Sequence, residues 1–341
     1  MPERSVSDWL DQLQGSAYSH FALDSYNQGE ALKLLESRTA EILGKPAAIF
    51  FPKGMTAQFV ALKVSQQLSG NNHIALHPLS HIAWDEQEAF DHLLQLQAHS
   101  VGSNSAPYTA NDLAAINTSI ATAVIELPLR RAGFRLPPWQ EISAISDYCK
   151  SQDIHCHMDG ARLWESTHYY GKSEAQIAAL FDSVYVSFYK GLGGIGGAIL
   201  AGENDFIEHC KLWRTRFAGD HFTSFPQIIS ALDGLDNKRP KINTLVERSK
   251  EVAKALSSLS ALTIPEPHTN GFLVFLKGDK DKLNHEVKSL TEQTGLTLFR
   301  EISYYPNSTD LIAEIQIGHA HEQITTDEIV DYFEALVSAS G

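Results

Sequence analysis

Between about residues 46 and 202 the sequence alternates short apolar runs with helix-like stretches. Ala47-Ala-Ile-Phe-Phe51 leads through Pro52-Lys-Gly54-Met-Thr56 into a helical stretch from Ala57 to Leu68. His73-Ile-Ala-Leu-His77 is followed by a helical stretch from Trp84 to Phe90, and Leu93 to Ala98 reads as another strand. Ala121-Thr-Ala-Val-Ile-Glu126-Leu127 precedes a helix that starts at Pro137-Pro138, since proline suits a first helical turn. Two further strands, Ile154 to Met158 and Ser183 to Phe188, precede a last apolar run at Gly197 to Gly202. Parallel neighbours need a crossover of a dozen or more residues, which a helix supplies. The alternation therefore predicts an α/β fold built on a mostly parallel, doubly wound sheet. Beyond Asn237-Lys-Arg-Pro240 the pattern changes. A long helix from about Ile242 to Leu259 is followed by short strands near Leu262, Phe272–Leu276 and Leu311–Ile317. These mix with helices near Lys280–Thr294 and Asp327–Val337. Residues 1–240 read as a large domain and 241–341 as a smaller α+β domain.

Composition narrows the function. The formal net charge is −14 and no long basic run occurs, which argues against nucleic acid or an anionic membrane surface as partner. No apolar run approaches the roughly 20 residues that cross a bilayer. The opening Met1-Pro-Glu-Arg-Ser-Val-Ser-Asp-Trp-Leu carries no apolar signal core, and three cysteines do not make a disulfide framework, so a reducing cytoplasm is expected. Cys156 falls in a predicted buried strand, where cysteine acts as a small hydrophobe.

In parallel α/β sheets, ligands bind beyond the carboxyl ends of the strands. One predicted strand ends at Asp159 in His155-Cys-His-Met-Asp159-Gly-Ala-Arg162. Another runs into Tyr189-Lys190 and the tract Gly191-Leu-Gly-Gly-Ile-Gly-Gly197. That tract matches G-x-G-x-x-G, but a dinucleotide site needs a helix after it, and Ala198-Ile-Leu-Ala reads as a strand. A lysine and a carboxylate facing one crevice suit pyridoxal 5'-phosphate (PLP). Its aldehyde takes a lysine, and its ring nitrogen stays protonated beside a carboxylate. Lys190 and Asp159 are assigned those roles, although a lysine in such a place can equally be a solvated loop residue. The helix start at Gly54 offers free N–H groups to a phosphate, and also serves as an ordinary strand-to-helix connection. His81, in Ser80-His81-Ile82, is placed to stack on a flat ring or to be a hydrogen-bonded loop histidine. A competing reading uses His155, His157 and Asp159, on one side of a strand, as metal ligands. It lacks a partner cluster, and His319-Ala-His321 reads as a polar loop. No metal is expected.

In this order and spacing, these residues resemble the L-threonine aldolase branch of the fold type I PLP enzymes. The motifs are Pro52-Lys-Gly54-Met-Thr56, Ser80-His81-Ile82, His157-Met-Asp159-Gly-Ala-Arg162-Leu163 and Lys190-Gly191-Leu192. The resemblance is good over residues 24–236 and loose beyond. It implies that Lys190 carries PLP as a Schiff base, Asp159 holds the ring nitrogen and His81 stacks on the ring. Gly54, Met55 and Thr56 would hold the phosphate, and Arg162 the PLP phenolic oxygen or the substrate carboxylate. It further implies cleavage of a β-hydroxy-α-amino acid to glycine and an aldehyde, catalysed with Lys190, His81 and Asp159. Assembly would be as a homodimer or homotetramer.

The pattern is broken at three places, one of them the family's glycine-rich Met-Arg-Gln segment, which appears as Gly219-Asp220-His221-Phe222. Where the family reads Glu-Asn-Thr-His-Asn, this chain reads Glu126-Leu127-Pro128-Leu129-Arg130, so leucine replaces a histidine near the substrate hydroxyl. The family's C-terminal arginine falls at Gln316. Arg130 or Arg131 is expected to take the substrate carboxylate instead. β-Elimination, transamination and a non-catalytic PLP-fold protein remain as alternatives.

Overall fold

The computed structural model describes residues 4–103 and 105–338, which divide into two compact units. The larger holds residues 4–129 and 136–240; the other holds residues 130–135 and the chain from Lys241 on. Seven strands form the sheet of the larger unit: β1 (Ala47–Phe51), β2 (His73–Leu76), β3 (Gln97–Ser100), β4 (Thr122–Glu126), β5 (His155–Gly160), β6 (Ser183–Ser187) and β7 (Ala198–Gly202). Their order is β1-β7-β6-β5-β4-β2-β3. β6, β5, β4, β2 and β3 are mutually parallel. Every residue of β6 and β7 is buried, as expected of strands covered on both faces.

β7 is antiparallel to both its neighbours. The reason lies in chain length: the segment from Phe188 to Gly197 is too short for a crossover, so the chain turns straight back. Gly193 and Gly197 take positive φ angles of 63° and 88° in that turn, and a Cβ on Gly197 would lie 2.8 Å from the Phe50 ring. The glycine tract thus runs into a strand and opens no helix. Since β1 is antiparallel to β7, it runs in the same direction as β6. The carboxyl ends of β1, β2, β4, β5 and β6 therefore open on one rim of the sheet.

Three local expectations are corrected. Instead of one helix from Trp84 to Phe90, there are two single turns, His81–Trp84 and Ala89–His92, separated where Gln87 and Glu88 take positive φ. The strand expected at Leu93–Ala98 begins at Gln97, whose N–H donates to Asn72 O at 2.8 Å. Leu94 and Leu96 are apolar because they are buried in the preceding turn. The helix expected to Leu259 ends at Leu256.

The second unit has a four-stranded antiparallel sheet, ordered β10-β11-β9-β8. Its strands are β8 (Leu262–Thr263), β9 (Gly271–Leu276), β10 (Ile302–Tyr304) and β11 (Leu311–Gln316). Helices Ile242–Leu256, Lys280–Thr294 and Thr326–Ser338 contribute Leu245, Leu283 and Phe333 to a shared core with Phe272 and Val274. Phe134 ties residues 130–135 to this unit, its ring 2.7 Å from where a Cβ on Gly271 would sit.

Candidate active site

The carboxyl end of β5 sets the site. In register, Asp159 lies between Glu126 on β4 and Tyr185 on β6. Asp159 is 1% exposed, and its Oδ1 accepts the Ala161 N–H at 3.1 Å. A carboxylate so enclosed requires a positive partner to offset its lost hydration. Arg162 follows at the head of helix Leu163–Tyr170.

β6 ends at Ser187, and Lys190 stands three residues further, half-buried. Two hydrogen bonds lock this segment to the turn after β5. Ser187 Oγ donates to Ala161 O at 2.7 Å, and Trp164 Nε1 donates to Ser187 O at 3.0 Å. They hold the Lys190 loop and the Asp159 turn as one assembly. Burial lowers the Lys190 pKa, and Arg162 lowers it further, while Asp159, Glu126 and Glu165 oppose them. A larger neutral fraction is what an amine nucleophile needs.

Gly54, Met55 and Thr56 open the helix Gly54–Ser69, whose first N–H groups have no partner within the helix. Glycine is required at its start. A Cβ there would collide with the Tyr185 hydroxyl and lie 3.0 Å from that of Tyr189. This helix start, at the end of β1, is therefore brought beside β6. The loop at Gly219 also approaches it, with a Cβ on that residue 3.5 Å from Thr56 Cγ2. Asn27 Nδ2 holds the loop through Gly219 O at 3.3 Å and Asp220 Oδ1 at 2.5 Å. Arg214 Nε pairs with Asp220 at 3.1 Å.

His81 lies beyond β2 in a turn capped by Ser80. Its backbone N–H donates to Glu126 Oε2 at 2.7 Å. Its ring nitrogens face two carboxylates, Nδ1 to Asp85 at 3.1 Å and Nε2 to Glu86 at 2.9 Å. Asp85 is the main reason that its pKa is raised; Asp159 and Glu126 add to this, while burial and Lys190 oppose it. Two carboxylates facing the ring favour its protonated form.

The metal reading finds other occupations for its ligands. His157 bonds Ser183 Oγ at 2.7 Å and Gln58 Oε1 at 2.6 Å, and His155 bonds the same Ser183 oxygen at 2.7 Å. Burial pushes their pKa values down to about 3 and about 4, so both rings are neutral. Among the described residues, no group of three or more His, Cys, Asp or Glu is placed to hold a metal ion.

Lys190, Asp159, His81, Arg162 and the Gly54–Thr56 turn all belong to the larger unit. Arg130, Arg131 and Gln316 belong to the other. The Arg130 fork is engaged by Glu314, through Nε to Oε1 at 3.0 Å and Nη2 to Oε2 at 2.8 Å. Leu129 is 2% exposed. Sequence reasoning missed Glu165, Tyr185 and Tyr189. The signal for Glu165 was present, since residues three apart on a helix share a face with Arg162. For the tyrosines, only the fold shows that they meet Gly54.

These residues fit PLP. A lysine of lowered basicity, a buried carboxylate, a helix start closed by glycine and a flat ring are what its aldehyde, ring nitrogen, phosphate and face require.

Comparison with known proteins places this rim in context. The chain is 27% identical over 237 residues to the low-specificity L-threonine aldolase of Candida albicans, covering 67% of this chain and 63% of that one. A crystal structure from Listeria monocytogenes, of a protein proposed to be an L-allo-threonine aldolase, shares 35% identity and a TM-score of 0.92, covering 98% of this chain and 94% of the other. One from Exiguobacterium, proposed as an aromatic amino acid β-eliminating lyase/threonine aldolase, shares 33% identity and the same TM-score of 0.92, covering 99% and 95%. The family model for β-eliminating lyases matches residues 20–279. With most of its length matched, the chain belongs to the β-eliminating lyase family and carries the fold type I architecture of its threonine aldolases.

Proposed function

We propose that this protein is a PLP-dependent aldehyde lyase acting on β-hydroxy-α-amino acids of the threonine type, which it cleaves between Cα and Cβ to glycine and an aldehyde. The observation that supports it most is the pairing of half-buried Lys190 and buried Asp159 on adjacent strand ends, tied together through Ser187 and Ala161. When bound, PLP supplies the electron sink for the pair released as the Cα–Cβ bond breaks.

The protein's residues do the rest. Lys190 Nζ is the attachment point, and its lowered basicity suits it to accept a proton at neutral pH. Asp159 would pair with the ring nitrogen. The amides of Gly54, Met55 and Thr56 and the positive end of their helix would hold the phosphate. His81, oriented by Asp85 and Glu86, would stack on the ring. Arg162 takes the phenolic oxygen or the substrate carboxylate, for which its planar fork is suited. Arg131 is a second candidate for that carboxylate. Arg130 would first have to leave Glu314.

β-Elimination is the second reading, and Leu129 favours it. The buried leucine offers nothing to take a hydroxyl proton where the threonine aldolase pattern has a histidine. Product analysis separates the two. Incubation of the PLP-loaded protein with L-threonine or L-allo-threonine is expected to give equal amounts of glycine and acetaldehyde. Formation of 2-oxobutyrate and ammonia would assign β-elimination, and inertness toward both amino acids would remove threonine-type substrates.

The same proposal places the protein in the cytoplasm as a homodimer or homotetramer. Support comes from cysteines 149, 156 and 210, all free and buried, and from exposed apolar side chains such as Leu23, Tyr26 and Phe222. No helix among the described residues is long and apolar enough to cross a membrane.

A further inference from the structure

Glu165 has no part in the mechanism above, yet it sits within it. It lies on helix Leu163–Tyr170, is 2% exposed, and its Oε2 has no hydrogen-bond partner. The carboxylate lies flat against Gly191. A Cβ on that glycine would collide with Glu165 Oε1 and come 2.8 Å from its Cδ. Burial raises the pKa of Glu165, and Arg162 and Lys190 are the positive charges that oppose this. A buried carboxylate with an open oxygen is costly to keep unless charge nearby compensates it. The absence of a side chain at Gly191 is what lets this one approach the lysine segment.

We propose that Glu165 is a positioning residue for Lys190: it packs against Gly191, next to the lysine, and lends the lysine nitrogen a counter-charge against Arg162. The proposal rests on Lys190 being the attachment point for PLP. The charged groups that face Lys190 are Arg162 and Glu165 beyond β5, Asp159 at its end, Glu126 at the end of β4 and His81 beyond β2. The Tyr189 ring lies beside it, 5.8 Å from Nζ to centroid. Asp159 is assigned to the ring nitrogen, and Glu126 accepts the His81 N–H. Glu165 is the remaining carboxylate, and it packs on the residue next to Lys190.

The sign of the effect follows. A negative neighbour favours the protonated form of the lysine–cofactor linkage, so losing it lowers the pH at which that linkage gives up its proton. The test titrates the visible absorption band of the PLP-loaded protein. Glu165→Gln keeps the size but removes the charge. Gly191→Ala keeps the charge and pushes it away. Both variants are expected to lower the band's midpoint, by about one pH unit for Glu165→Gln. An unchanged midpoint would overturn the proposal while leaving the cofactor site intact. Should Glu165→Gln not fold, Gly191→Ala decides alone. A wild-type protein with no lysine-dependent band would remove the cofactor reading itself, and the proposal with it.

Discussion

Lys190→Ala is expected to lower turnover by about 10³-fold or more, the scale of losing a covalent attachment point together with a proton carrier. The variant should still take up PLP, since the phosphate turn, Asp159 and His81 are untouched. Its absorption should then be that of the free aldehyde. Folding should be preserved, because the truncation removes a charge from a partly desolvated place beside Arg162. A melting temperature close to that of wild type, measured with the loss of turnover, separates a chemical from a structural effect. Retained turnover in this variant is incompatible with the role given to Lys190.

Asp159→Asn is the second large effect. Asparagine keeps an oxygen for the Ala161 N–H, so the turn after β5 should stand. What is lost is the charge opposite the PLP ring nitrogen. Removing one partner of a buried pair costs about 3–5 kcal/mol, which corresponds to roughly two to nearly four orders of magnitude in a rate that depends on the protonated ring. The expected outcome is a protein that folds and binds PLP through Lys190, with turnover reduced at least about 10²-fold. Asp159→Ala should add a loss of stability, because the Ala161 N–H then has no partner. Equal turnover in Asp159→Asn and wild type would place the ring nitrogen elsewhere.

The sheet was legible because its strands are buried on both faces and so read as continuous apolar runs, as at Val184 and Ile199. The site followed from strand ends, which is why Asp159 and Lys190 could be named without a fold. Other features depended on contacts far apart in sequence. Leu94 and Leu96 read as a strand, although their burial comes from packing against Ile74 and Leu76 in a turn. β10 was missed because three residues carry little periodicity. The pairing of Arg130 with Glu314 could not be foreseen, and it engages a group expected to bind substrate. Asp85, four residues after His81, was readable as a helical partner. The full surroundings of the ring needed the second carboxylate of Glu86 as well.

The most direct measurement is to load the protein with PLP, reduce it with borohydride and map the modified peptide by mass spectrometry. The expected result is one pyridoxyl group on Lys190 and none in the Lys190→Ala variant. Attachment to another lysine, such as Lys53 beside the phosphate turn, or no attachment at all, would contradict the assignment of Lys190.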